Sequence, residues 1–365
     1  MSLIEHCAVL VGPRESLREQ ATDRMLAPRL DYLLVAERLG GTVMHWCPPP
    51  SALSGPKAWR VLRSFGGNAM ETRSLLRGIE PGTLVYSTGE TWGLPVGLAA
   101  HAVRARIKHV VYVHRVFTPR WLSALHTLSP YLRVDGWVCV TDYQARLLRG
   151  ILGPEARVIA ISQGVDTQFW DPTKAKPSAQ EPYLLSVGTE MRDYPLLFDA
   201  VKGMGMRVIV KASSAWMRKT RHMLRTPPPN VQVLTERLSY VGMRDLYAGA
   251  SLVVVPLLDT PQAAGITTIL EAMAMGKCVV ATESQGLPDV LVDRGTGRIA
   301  HRDPRALREV VDEACSNSHY RDQVTEKAQV AVRRTCSLEG HSESVAGFLC
   351  ATHKRRSGTG HKSRF

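Results

Sequence analysis

The sequence predicts an α/β protein with two Rossmann-like domains, each a parallel sheet covered by helices on both faces. Two observations carry this reading. Short β-rich apolar runs alternate with helical stretches, the pattern of βαβ units, and the alternation breaks once, at a Pro- and Lys-rich segment, then restarts.

In the first half the strand-like runs are "CAVLVG", "TVMHW", "TLVYST", "HVVYVH", "GWVCVT" and "RVIAIS". Between them, "LDYLLVAERLG" and "TDYQARLLRGILG" place apolar residues at helical spacing. Runs this uniformly apolar suit strands buried on both faces. The break is "GVDTQFWDPTKAKPSAQEP", with Pro172, Pro177 and Pro182. Beyond it lie "YLLSVG", "RVIVKA", "VQVLT", "SLVVVP" and "CVVAT". The expected organisation is an N-terminal domain over residues 1–170 and a C-terminal domain over 171–336. A last helix over 337–352 is long enough to return to the first half, and a basic tail, 353–365, reads as disordered.

Composition narrows the function. A chain of 365 residues, 44% apolar, suffices for two cores. Its seven cysteines form no CxxC pair, which argues against structural zinc and for reduced thiols in a cytoplasmic protein. No run of about 18 uncharged apolar residues suggests a membrane span. The net charge of +13 points to an anionic partner or surface. No zinc finger or RNP-type aromatic set accompanies that charge, so specific nucleic-acid binding is not expected. Arg104, Arg106 and Lys108 form a candidate membrane-facing patch, although a solvated helix end explains the same run.

In open parallel sheets, ligands bind beyond the carboxyl ends of the strands. The segment "AAGITTILEAMAMG" follows "SLVVVP" and opens a helix. Its Ala264, Gly265, Ile266, Thr267 and Thr268 form a small-residue turn whose free N–H groups favour an anion such as a diphosphate. Taken alone, the stretch reads equally as an ordinary helix start. Glu271, about a turn further on, carries a carboxylate able to accept from both hydroxyls of a ribose, or simply to offset the helix dipole.

Together, "LLSVGTEMRDYPLLFDAV", "NVQVLTERLSYVGMRDLYAGASLVVVPL" and "AAGITTILEAMAMGKCVVATESQGLPDVLVDRGTGRI" resemble the C-terminal domain of the family 4 glycosyltransferases of GT-B architecture. "DGWVCVTDYQARLLRGILGPEARVIAISQGVDTQFWDP" resembles the end of that family's N-terminal domain and its interdomain junction, with Gln163 in place of Asn. The resemblance spans roughly residues 83–315. It implies two domains facing each other across a cleft, which transfer sugar from a nucleotide diphosphate with retention. Glu271 then matches the second acid of the E-x7-E motif, which grips the donor ribose, while the first acid is replaced by Ala263. Gly265, Ile266 and Thr267 match the turn whose backbone faces the diphosphate.

After Gly188 the family usually offers Arg and then Lys; here Thr189 follows, and Arg192 is the nearest cation. Arg192 reads either as a bidentate phosphate ligand or as a partner of Asp193, and Lys211 is the alternative phosphate ligand. His114 matches the family's histidine beside donor sugar and phosphate, where an imidazole can donate a hydrogen bond. His109 is placed before the strand. Glu90, read as a loop residue, is a candidate acceptor contact, and Trp92, Trp121 and Trp170 are candidates for sugar stacking or core.

No D-x-D occurs, which fits metal-independent transfer. No cofactor is expected beyond the nucleotide-sugar substrate. The acceptor is open, with a lipid-linked or anionic one and a peripheral contact at the inner membrane face as further expectations. Two rivals remain: a glycosyltransferase-like nucleotide-binding protein without turnover, and a sugar-nucleotide epimerase of the same fold.

Overall fold

The computed structural model describes residues 6–12, 26–45, 69–115, 119–177, 181–212, 226–292 and 295–354. The first half runs β1 (Cys7–Val11), α1 (Asp31–Leu39), β2 (Thr42–His45), α2 (Ala69–Arg77), β3 (Leu84–Ser87), α3 (Glu90–Ala102), β4 (Lys108–Val113), α4 (Pro119–Leu128), β5 (Gly136–Cys139), α5 (Asp142–Leu152) and β6 (Val158–Ala160). The second runs β7 (Tyr183–Val187), α6 (Tyr194–Val201), β8 (Arg207–Lys211), β9 (Val231–Leu234), α7 (Tyr240–Gly249), β10 (Ala250–Val255), α8 (Ile266–Ala274), β11 (Val279–Thr282), α9 (Asp289–Val292), β12 (Arg298–Ala300) and α10 (Pro304–Ser316). Two more helices follow, α11 (Ser318–Thr335) and α12 (Leu338–His353).

Each half contains one six-stranded sheet with every pairing parallel, in the orders β2-β1-β3-β4-β5-β6 and β12-β11-β10-β7-β8-β9. This is the predicted α/β architecture of two Rossmann-like domains. The central strands are apolar because both faces are covered: β1 is buried throughout, and β10 at every residue but Ser251.

Helix starts follow local chemistry. Thr141 accepts from the Gln144 amide, Asp193 from Leu196 and Ser239 from Gly242, each closing one donor of a first turn. Two readings need correction. Glu90 is not in a loop but opens α3, a helix whose Pro95, Gly93 and Gly97 disguise it in sequence. A Cβ on Gly93 would stand 2.7 Å from Val111 Cγ1, so the glycine lets α3 lie directly on the sheet. His109 lies inside β4, not before it.

α12 packs against α1: Val345, Phe348 and Leu349 share a buried cluster with Tyr32, Val35, Ala36 and Leu39. Each large apolar side chain so buried is worth roughly 1.5–3 kcal/mol. The crossover between the halves is tied to the same place. Val165 exchanges backbone bonds with Cys336 and Leu338, and Ser162 O faces His341 Nδ1 at 2.8 Å. Arg29 binds both oxygens of Asp166, at 2.7 and 3.1 Å, and reaches Glu339 at 2.8 Å. Burial alone would raise the Asp166 pKa; the Arg29 bonds outweigh it and hold the carboxylate below its ordinary range.

Residues 355–365 of the basic tail lie outside the described residues. No described helix is long and apolar enough to cross a membrane.

Candidate functional site

In the second sheet, β7 and β10 are neighbours from which the chain winds outward in opposite directions, the switch point where open α/β sheets bind ligands. The loops leaving the two strands are fastened together. Asp193 N donates to Pro256 O and Leu258 N to Met191 O, each at 2.9 Å, around an antiparallel bridge between Arg192 and Leu257. Thr282 Oγ1 accepts from Leu257 N, Ser284 Oγ accepts from Thr260 N, and Gly286 N donates to Thr260 O. Gly286 is required there, since a Cβ would sit 2.1 Å from Gln262 O. The bonding runs on to Ala264, buried, whose N–H donates to Gln262 O at 2.7 Å.

Then it stops. Gly265, at φ +81°, is the N-cap of α8, with no side-chain cap bond. The amides of Gly265, Ile266, Thr267 and Thr268 have no acceptor among the described residues. Unpaired N–H groups and the positive end of the helix dipole converge on this point. Ile266 is buried and Thr267 exposed, its hydroxyl donating to Gln163 Oε1 at 3.5 Å.

Under this turn lies Arg192, 6% exposed. Nε donates to Val187 O at 3.0 Å, Nη1 to Glu190 O at 2.8 Å and Nη2 to Thr268 Oγ1 at 3.2 Å. Gly188, at φ +101°, passes directly over it, so close that a Cβ would be 2.7 Å from Nη2. A Cβ on Gly265 would be 3.5 Å from Nη1. Arg192 is therefore not paired with Asp193, which caps α6 and lies 3.9 Å from Arg302. No carboxylate forms an ion pair with Arg192 among the described residues, and burial pulls its pKa below the ordinary arginine value. Beside it, Thr189 Oγ1 is buried without a hydrogen-bond partner among the described residues. A buried cation, a buried hydroxyl and four amides without an acceptor among the described residues are the groups that suit a multivalent anion chemically.

Glu271, half-buried, is fixed by a residue that sequence reasoning missed: Tyr247, fully buried, donates to Oε2 at 2.9 Å. Burial first, and then the Glu271 charge, push the Tyr247 pKa well up. Lys211 adjoins this group through its backbone, its carbonyl accepting from Gly188 N at 3.0 Å. It ends β8, on the side of β7 away from β10, is 2% exposed and donates to Glu236 O. Burial lowers its pKa, against the pull of Glu236.

In the first half, His114 and Glu90 come together. Glu90 is 8% exposed, and its Oε2 accepts the His114 amide at 2.9 Å, so in this structure it positions the histidine backbone. His114 Nε2 faces Thr88 O at 3.1 Å. A carbonyl only accepts, so in the neutral ring the proton sits on Nε2 and Nδ1 is left as an acceptor. Trp170 is core, 3% exposed and edge-on to Tyr247. Trp92 donates to Leu10 O at 3.0 Å and is covered by Gly12 and Gly89, where Cβ atoms would each stand 2.7 Å from its ring.

The halves touch around the cleft. Asp142 N donates to Asp289 Oδ2 at 2.9 Å, Gln144 Nε2 to Pro261 O at 3.2 Å and Tyr143 to Gln285 Oε1; Arg115 pairs with Glu190 at 2.8 Å. Far from this cleft, α2 and the loop after α3 enclose a concavity of about 280 Å³ rimmed by Arg73, Arg77 and Arg106 over Leu76, Val103 and Ile107. Lys108 does not join it, being paired with Asp135 at 2.9 Å.

Comparison with known proteins points to the same fold. Residues 24–169 match the family model described as Glycosyltransferase Family 4, and residues 205–317 the one described as Glycosyl transferases group 1. An alpha-maltose-1-phosphate synthase of Mycolicibacterium smegmatis is 26% identical over 312 residues, covering 74% of this chain and 76% of the relative. An alpha,alpha-trehalose 6-phosphate synthase of Burkholderia multivorans superposes with a TM-score of 0.74 at 13% identity, over 96% of this chain and 99% of the other. The Anabaena protein HepE, solved in complex with UDP-glucose, gives 0.67 at 15% identity over 95% and 99%. With both halves matched in order and the two-sheet fold in place, the chain is a family 4-like glycosyltransferase of GT-B architecture.

Proposed function

We propose that the chain transfers a sugar from a nucleoside diphosphate sugar with retention and without a metal ion, holding the donor in the second half and the acceptor in the first. The observation that carries this is Arg192: a buried guanidinium with no carboxylate partner among the described residues, beneath Gly188 and Gly265 and beside the unpartnered amides of 265–268. An uncompensated buried charge is costly, and a diphosphate bound there relieves it. Glu271, oriented by Tyr247, accepts from the ribose hydroxyls. His114 Nδ1 accepts from a hydroxyl of the donor sugar.

As the bond from the sugar C1 to the phosphate oxygen breaks, negative charge gathers on the diphosphate. Amides and a guanidinium already aimed at it stabilise that charge without reorganisation. The acceptor hydroxyl forms its new bond to C1 on the face the phosphate leaves, and its proton passes to a phosphate oxygen. Configuration is kept, and positive protein groups take the part a divalent ion plays elsewhere.

The test is a thermal-shift screen of UDP, GDP and ADP, followed by incubation of the matching nucleotide sugars in EDTA with the product anomer read by NMR. Stabilisation by one diphosphate and a retained anomer are expected. Binding without any cleavage supports the turnover-free rival; epimerised donor without transfer supports the epimerase.

The arginine-rimmed concavity supports a peripheral contact with an anionic membrane. Arg73, Arg77, Arg104 and Arg106 are exposed and make no ion pair among the described residues. Salt-sensitive sedimentation with acidic liposomes, lost on replacing Arg104 and Arg106 by Glu, is the expected result; co-sedimentation unchanged by salt or by those replacements overturns it.

A further inference from the structure

The arginine that the turn after Gly188 itself supplies, Arg192, is buried. The opposite half brings a second to the same turn. Arg115 follows His114 beyond the end of β4, and its Nη2 lies 2.8 Å from Glu190 Oε2. Glu190 is two residues past Gly188, in the turn braced by Arg192 through the Glu190 carbonyl at 2.8 Å. Arg192 in turn reaches Thr268 in the first turn of α8. A chain of direct contacts thus runs from Arg115, through Glu190 and Arg192, to the anion-binding end of α8.

We propose that Arg115 is a donor-phosphate ligand supplied across the cleft, and that Glu190 holds its place until the donor arrives. This rests on the reading of the α8 end as a diphosphate site. The Arg115 and Glu190 side chains are 57% and 41% exposed, and an ion pair so open to water contributes little. A diphosphate offers the guanidinium more charge and two oxygens for bidentate bonding, so exchange of carboxylate for phosphate is favourable. The exchange leaves one cation of the first half bound to a ligand held by the second. Donor binding thereby keeps the halves joined at this point while the Arg115 partner changes from carboxylate to phosphate, with His114 adjacent in the chain.

The test compares wild type, Arg115→Ala and Glu190→Gln by calorimetry, using whichever of UDP, GDP and ADP binds wild type most tightly, and the matching nucleoside without phosphate. Arg115→Ala is expected to lose roughly tenfold or more in diphosphate affinity with nucleoside affinity unchanged. Glu190→Gln is expected to bind diphosphate as tightly as wild type or more so, because the competing carboxylate is gone. Unchanged diphosphate affinity in Arg115→Ala, equal losses for diphosphate and nucleoside, or a Glu190→Gln loss matching that of Arg115→Ala would each overturn the assignment. A wild type that binds none of the three diphosphates overturns instead the reading on which it rests.

Discussion

Replacing Glu271 by Gln tests whether the carboxylate holds a ribose. The site predicts both size and selectivity. Tyr247 takes one of about four acceptor positions on the carboxylate. The amide that replaces it has one acceptor oxygen, so with Tyr247 bound it serves one hydroxyl of a diol less well and meets the other with a donor. Hydrogen bonds to a charged group are worth about 1.5–3 kcal/mol. Losing one such bond weakens nucleoside diphosphate binding roughly 10- to 150-fold. The readout is calorimetric affinity for the diphosphate and for its 2′,3′-dideoxy analogue, on wild type and Glu271→Gln. Wild type should prefer the ribose form by about that factor, and the variant should have lost the preference while binding the dideoxy form as wild type does. Equal affinity of the two proteins for the ribose form, or an equal loss for both ligands, would refute the assignment.

Two further outcomes follow from buried groups. His109 is fully buried between Ser87 Oγ, at 2.9 Å, and Arg133 O, at 3.2 Å; burial, opposed by the Arg133 carbonyl and Asp135, pulls its pKa from 6.5 to about 4. The unfolded chain therefore takes up the proton first as pH falls: stability is whole above about pH 6.5, drops by roughly 3 kcal/mol towards pH 4 and levels off below. His109→Gln should flatten that part of the denaturation-versus-pH curve, and a wild-type slope that survives the substitution rules the histidine out as its source. Gly188→Ala puts a Cβ 2.7 Å from Arg192 Nη2 at a φ of +101°. It should cost about 1–3 kcal/mol in chemical denaturation and displace Arg192 enough to abolish the diphosphate-induced thermal shift; a variant that keeps the shift shows that the turn does not position Arg192.

The strands of both halves were legible because their signals are local. The strands of a parallel sheet covered on both sides must be apolar throughout, and runs such as "SLVVVP" announce themselves. The turn that opens α8 likewise lies in one short stretch, since a glycine at positive φ and the first turn of the following helix are consecutive residues. What the sequence hid is long-range or compositionally disguised. Tyr247 lies 24 residues from Glu271, and the Arg115–Glu190 pair joins residues 75 apart. Neither pairing leaves a spacing to read. Three-residue β12 carries too few apolar positions for a period, and α3 breaks helix propensity with Gly93, Pro95 and Gly97 in order to lie close on β4.

The two sheets use their ligand edges differently, and strand order explains it. In the order β12-β11-β10-β7-β8-β9 the switch falls between β7 and β10, and the loops of those two strands carry Gly188, Arg192 and the approach to Gly265. In the order β2-β1-β3-β4-β5-β6 it falls between β1 and β3. There the indole of Trp92 lies against Gly12, after β1, and Gly89, after β3, and donates to Leu10 O; a Cβ on either glycine would collide with the ring. The first half thus fills its own crevice with a side chain and presents groups one strand further along, where His114 and Arg115 follow β4. That shift places His114 and Arg115 together, where Arg115 meets Glu190 of the second half.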